Sequence, residues 1–265
     1  MLNSSLPIGI FDSGVGGLTV MREVIRALPN EQVIYFGDTA RLPYGNKSRE
    51  TIIRFSLENA RTLCERGIKL LVVACNTATA FALAELQAEL SIPVVGVIAP
   101  GVQAAVQQTK TQAIAVLGTR GTIASNAYQN AILQLQPLAK LHAIACPLFV
   151  PLVEEGFIDH PSTAMIAKHY LERLSVGSVD TIILGCTHYP MLRDVIKRQV
   201  GERVAIIDSA SACAFEVQNQ LKKHELLASK KIADHVYFVS DNSEAFNRLG
   251  STILGEPISS IDWPN

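Results

Sequence analysis

The sequence predicts an α/β fold of two pseudo-symmetric lobes built on mostly parallel sheets, and three observations predict it. Short apolar runs rich in Val and Ile alternate with longer stretches of helical period, the signature of repeated βα units. Apolar residues fill 48% of the 265 positions but aromatics only 6%, so the core is aliphatic, as suits strands covered by helices on both faces. The halves also echo each other: PIGIFDSGVGG at 7–17 and AIAVLGTRGT at 113–122 are each a strand running into a Gly-rich turn.

Strands are expected at 7–11, 32–36, 69–74, 94–97, 112–117, 140–146, 180–184, 203–207 and 235–239. Between the second and third, 48–66 reads as a helix, with Ile53, Leu57, Ala60 and Cys64 on one face and Gly67 as its C-terminal cap. Cys64 is then core. Cys213 shares a helical stripe with Val217 and Leu221 and is core too, while Cys146, before Pro147 at a strand end, reads as structural. A second echo joins LVVACNTAT at 71–79 to IILGCTHYP at 182–190: an apolar strand, a small residue, Cys, then a threonine opening a helix. Internal duplication of one α/β lobe accounts for both echoes. Ligands of open α/β sheets bind at the carboxyl ends of the strands, so two facing lobes bring Cys75 and Cys186 to one cleft.

Composition removes several classes of function. A formal net charge of -1 and a pI near 6.6 provide no general field for a polyanion, so nucleic acid is not an expected partner. The N-terminal MLNSSLPIGIFD lacks the charged start and long apolar middle of a signal peptide. The apolar runs at 92–102 and 143–153 contain proline and fall short of the roughly 18 residues a membrane span needs. A cytoplasmic protein without membrane contact is expected. The five cysteines show no CxxC spacing, and His142, His160, His169, His224 and His235 show no ligand spacing, so no metal is expected.

Gly14-Val15-Gly16-Gly17, followed by Asp38 at the end of the next strand, imitates a dinucleotide fingerprint. Thr19 replaces its third glycine, and Asp12 stands where it would repel a pyrophosphate. A tight turn presenting Asp12 and Ser13 is the better reading. The cysteines offer more chemistry, because a thiol at a helix N-terminus can have its pKa lowered toward neutrality by free N–H groups. A cysteine hydrolase needs one thiol and a histidine base. Two matched thiols instead suit removal of a proton from one face of a carbon and its return on the other, that is, racemisation or epimerisation. Asp12 and His188 are candidates to orient or deprotonate the thiols, whereas Glu154, in PLVEEG at 151–156, reads either as a loop residue reaching the cleft or as part of a charged face. A two-lobed binding protein that closes on a small anion is the competing class, but it gives no reason for matched cysteines.

The segments IGIFDSGVGGLTV at 8–20, YFGDTARLPYG at 35–45, VVACNTATA at 72–80, GVIAPG at 96–101, LGTRGTIAS at 117–125, CPLFVPLVEEG at 146–156 and LGCTHYP at 184–190 resemble the glutamate racemases of the cofactor-independent aspartate/glutamate racemase superfamily. The resemblance implies interconversion of L- and D-glutamate without pyridoxal phosphate or other cofactor, supplying D-glutamate for peptidoglycan. It implies a first lobe from 1–97 plus 206–265, a second from 98–205, and the site in the cleft between them, and it admits a homodimer. It also implies that Cys75 serves the D enantiomer and Cys186 the L, assisted by Asp12 and His188. Asp12, Ser13, Tyr44, Gly45, Asn76, Thr77, Thr187 and His188 match substrate contacts, with Thr119 a weaker addition. Aspartate-specific relatives tend to carry an acidic residue at the position of His188, so glutamate is favoured over aspartate or a hydantoin. The short leader before Ile8, without the long extension of activator-dependent members, weighs against regulation by a peptidoglycan precursor.

Overall fold

A computed structural model describes residues 3–174 and 177–263. Every expected strand is present within a residue or two. In the first half they are β1 (Ile8–Asp12), β2 (Val33–Gly37), β3 (Leu70–Val73) and β4 (Val94–Gly96). In the second they are β5 (Ala113–Gly118), β6 (Lys140–Ala145), β7 (Thr181–Gly185) and β8 (Ala205–Asp208). Then β9 (Val236–Val239) follows, with a short, exposed β10 (Ile261–Asp262) that sequence patterning did not reveal because two residues carry no period.

The strands form two wholly parallel sheets, ordered β10-β9-β2-β1-β3-β4 and β6-β5-β7-β8. The order β2-β1-β3-β4 is repeated strand for strand as β6-β5-β7-β8, and the first sheet is extended by β9 and β10 at its β2 edge. Because β8 pairs with β7 along Thr181–Leu184, the chain leaves the second sheet after Asp208, and a division at 205/206 would cut its last strand. Helices cover both faces of the first sheet, which is why β1, β2 and β3 are buried end to end and read as unbroken apolar runs. The second sheet has the same construction, with β6 as its partly exposed edge.

The helix expected at 48–66 runs from Arg49 to Cys64 as α2, the first helix α1 being Leu18–Ala27. Its cap is Ser48, whose Oγ accepts the Thr51 N–H, and it stops at Glu65, before Gly67 at φ +73°. The buried face is rotated from the expected stripe: Ile52, Ser56, Asn59, Ala60 and Leu63 are buried, while Ile53, Leu57 and Cys64 are half-buried at its margin. Hydrophobic spacing missed this because Asn59 is polar and its partners are distant in sequence. Its Nδ2 donates to the Tyr44 hydroxyl at 3.0 Å, and its Oδ1 accepts from Arg41 at 2.8 Å. Cys213 packs in the first core with Val217 and Leu221, and Cys146 is fully buried in the second.

At the amino ends of the strands, Lys69 and Glu31 form an ion pair with both side chains out of solvent. Lys69 Nζ also donates to the Ser4 carbonyl at 2.6 Å, and Glu31 Oε1 accepts the Ala228 N–H at 2.8 Å. The pair thus ties the leader and the return segment to the first sheet. Removing one member strands a buried charge, which typically costs about 3–5 kcal/mol. Lys69→Met is expected to lower unfolding stability by that order in urea titration; a loss under about 1 kcal/mol, the scale of exposed pairs, would show that water reaches the pair.

Candidate functional site

Six connections at the carboxyl ends of the two sheets meet at one cavity. After β1 the chain turns at Asp12–Gly17, and after β3 Cys75 caps α3 (Asn76–Glu89). After β5 Thr119 caps a short helix (Arg120–Ala124), while after β7 come Cys186, Thr187 and His188. The turn at Tyr44–Asn46 closes one side. Another helix of the second lobe, Phe149–Glu154, delivers Glu154.

Ser13, Tyr44, Gly45, Cys75, Asn76 and Thr77 line this cavity from the first lobe, and Thr119, Glu154, Cys186, Thr187 and His188 line it from the second. All the expected site residues but Asp12 are therefore on its wall. Asp12 is completely buried beneath the turn, where Oδ2 accepts the N–H groups of Gly14 and Gly17 at 3.1 Å each. These are the donors a phosphate would need, so the Gly-rich turn is a carboxylate cradle. Asp12 Oδ1 accepts from the Thr187 hydroxyl at 3.4 Å across the lobes.

The free volume of the cavity is about 30 Å3, enough for a water or two and too little for an amino acid with two carboxylates. A wider depression of about 420 Å3 adjoins it and shares Leu42 and Glu154 with it, but it contains neither cysteine.

The two thiols are held differently. Cys75 Sγ accepts the Ala78 N–H at 3.5 Å and lies 3.8 Å from Ser13 Oγ. Its expected shift toward neutrality is overturned: burial and the neighbouring Asp12 carboxylate push the thiol up to about 12, outweighing the helix N–H and Ser13. Cys186 does not open an α-helix. It enters a turn and then a single 3-10 turn at Tyr189–Leu192, where Pro190 lacks an N–H to donate. The ring of His188 lies beside it, with Nδ1 at 3.9 Å from Sγ.

On the other side of that ring, Nε2 sits 3.2 Å from Glu154 Oε1, an ion-pair distance without the alignment of a directed hydrogen bond. Burial opposes charge on His188, yet the Cys186 and Glu154 contacts prevail and raise it to about 10. Glu154 thus belongs to the site and not to a solvated face. Burial raises the Asp12 carboxyl above the ordinary aspartate range, against the pull of His188 and of the backbone N–H groups.

Around the thiols, side-chain groups cross from lobe to lobe. The Thr77 hydroxyl lies 2.9 Å from that of Thr119 and 3.0 Å from that of Thr122, and the latter two are 3.0 Å apart. Tyr44 lines the cavity with its hydroxyl committed to Asp38, which also holds Arg41 at 2.8–2.9 Å. Asp38, Arg41, Thr19 and Thr122 were not identified as site residues from sequence. Thr19 had a signal, since it breaks the nucleotide fingerprint: its hydroxyl contacts the Gly16 carbonyl at 2.9 Å and the Thr187 carbonyl at 3.2 Å.

Residues 8–217 match the model of the Asp/Glu/Hydantoin racemase family. A glutamate racemase of Geobacter metallireducens is 52% identical over 96% of this chain and 94% of its own length. The structure of glutamate racemase isoform RacE1 from Bacillus anthracis superposes with a TM-score of 0.95 at 43% identity, over 99% of this chain and 98% of that one. Glutamate racemase from Francisella tularensis, solved in complex with D-glutamate, gives a TM-score of 0.92 at 34% identity, again over 99% and 98% of the two chains. With its matched thiols at equivalent strand ends, the chain belongs to the Asp/Glu/hydantoin racemase family.

Proposed function

We infer that this protein is an isomerase that interconverts L- and D-glutamate by proton transfer between two cysteines, without a cofactor. The single observation that carries this reading is the placement of Cys75 and Cys186 on the wall of one small cavity, each at the end of the equivalent strand of a repeated sheet. Relatives with this architecture are glutamate racemases, one of them holding D-glutamate. The first lobe is formed by the chain up to β4 together with the part after Asp208, and the second by the chain between them.

In the direction from L to D, Cys186 as thiolate takes the α-proton, and Cys75 as thiol gives its own proton to the opposite face. Its elevated pKa keeps Cys75 protonated at neutral pH, the form required of the donor. His188, cationic over the same range, stabilises the thiolate at Cys186 and is itself held by Glu154. In the reverse direction Cys75 must first lose its proton, and Asp12, made more basic by burial, assists it.

Hydroxyl and amide donors at Ser13, Asn76, Thr77 and Thr187 suit the two carboxylates, with Thr119, Tyr44 and Gly45 completing the wall. The cavity must open to admit glutamate, and closure shuts out water that would compete for the carbanion. Among the described residues no helix is long and apolar enough to cross a membrane. The five cysteines are unpaired, which supports a reducing cytoplasmic setting where D-glutamate is made for peptidoglycan.

Each cysteine can start the reaction from one face only. Cys75→Ala is expected to abolish racemisation while leaving slow exchange of the L-glutamate α-proton, and Cys186→Ala to leave exchange of D-glutamate alone. Proton NMR of each enantiomer in deuterium oxide reads this directly, and full racemisation by either variant, or the opposite enantiomer preference, would sink the two-base assignment.

His188 also makes stability depend on pH. Its pKa rises on folding from 6.5 to about 10, so its contribution is complete below pH 6.5 and is lost as pH climbs through 10. Unfolding free energy should therefore decline more steeply between those values in the parent than in His188→Asn. Parallel profiles in urea titration would contradict a cationic His188.

A further inference from the structure

The wall residue Asn76 is held by a side chain that no strand-end motif contains. Tyr128 lies in the helix Ala127–Leu135 of the second lobe and is fully buried. Its hydroxyl donates to Asn76 Oδ1 at 2.6 Å and stands 3.2 Å from the hydroxyl of Ser209. Ser209 is the first residue of the helix Ser209–Lys223, which carries the chain back toward the first sheet. A phenol has one proton to give. With that proton committed to the Asn76 carbonyl, the phenol oxygen accepts from Ser209, and the chain of donors runs from Ser209 through Tyr128 to Asn76. Three elements meet in it: the N-terminus of α3, a helix of the second lobe, and the start of the returning helix.

We propose that Tyr128 is a positioning residue for the racemase reaction, fixing the Asn76 carboxamide so that its N–H groups are presented to a substrate carboxylate. Asn76 Nδ2 has no protein partner among the described residues, and Asn76 retains a sliver of exposure on the cavity wall. Its carbonyl is occupied from behind, so the side facing the ligand carries donors only. An unanchored amide could turn its carbonyl toward the carboxylate, replacing attraction by repulsion. Burial raises the Tyr128 phenol above its ordinary range, so it remains a donor throughout the working pH. Because the phenol comes from the opposite lobe, the donor set is complete only when the lobes are closed. This inference rests on the reading of Asn76 as a substrate contact.

Tyr128→Phe removes the hydroxyl and keeps the ring. Steady-state kinetics in both directions should show KM for L- and D-glutamate raised about fivefold to tenfold, with kcat within about twofold. In an Asn76→Ala background the same substitution should raise KM no further, because the amide it positions is gone. Ser209→Ala, at the outer end of the relay, should raise KM about twofold, and it tests the relay even if Tyr128→Phe does not fold. The proposal is overturned if folded Tyr128→Phe leaves KM unchanged, if it lowers kcat instead, if its effect multiplies with that of Asn76→Ala, or if Ser209→Ala has no effect. If Asn76→Ala by itself leaves KM unchanged, the substrate role of Asn76 fails and the proposal with it. A raised KM in Asn76→Ala beside a silent Tyr128→Phe removes the relay alone.

Discussion

The site depends on a contact with no room in it. At Gly16 the turn after β1 presses against the turn after β7, and a Cβ there would lie 2.4 Å from Thr187 Oγ1 and 2.5 Å from His188 Nδ1. Both are below any tolerable separation, so glycine is required by the approach of the lobes and not by its φ. Gly17 is equally confined, since its Cβ would meet Asp12 Cβ at 2.5 Å and the Tyr35 hydroxyl at 2.7 Å. This close packing lets one buried carboxylate serve both lobes: Asp12 holds its own turn through two backbone N–H groups and reaches the other through Thr187.

The rest of the polar interior is organised around the same junction. Asp38 directly follows β2, and it gathers Arg41, Tyr44 and Ser240 around a fully buried carboxylate. Those bonds fix the turn that carries Tyr44 and Gly45 against Thr119, where a Cβ on Gly45 would fall 2.6 Å from the threonine Cβ. Buried polar groups are costly unless they are paired. Here the carboxylate is paired with Arg41 and Tyr44 close by in sequence and with Ser240 on the segment that returns to the first sheet.

What could be read from the sequence follows from where the information lies. Both echoes are local, a strand with the turn that follows it, and they locate β1, β3, β5 and β7 together with Asp12, Cys75, Cys186 and His188, whereas Thr119 comes from the family resemblance alone. The buried face of α2 was misjudged because Ser56 and Asn59 are polar by type and buried by contact. Tyr128 gave no sign of a role because an isolated tyrosine in a helix reads as core. Only the fold brings it to Asn76, 52 positions away in sequence. The pKa of Cys75 was misjudged for a different reason. The helix N–H is legible in the sequence, but the depth of burial of the thiol and the presence of Asp12 beside it are not, and these two effects prevail.

The repeated strand order matches the two thiols in position and not in their surroundings. Cys75 has a true helix N-terminus and an acidic neighbour, whereas Cys186 has a short 3-10 turn and a cationic histidine backed by Glu154. A symmetric pair would be poorly suited to the task, because two identical thiols close together would compete for one proton with no preferred resting arrangement. Placing a carboxylate beside one and an imidazolium beside the other biases the resting enzyme toward thiol at Cys75 and sets a positive charge against Cys186. The bias can remain modest because the substrate is symmetric about its α-carbon in energy, L- and D-glutamate being equal in free energy in water. The protein's asymmetry sets which protonation state waits for which enantiomer, and it leaves the equilibrium between them untouched.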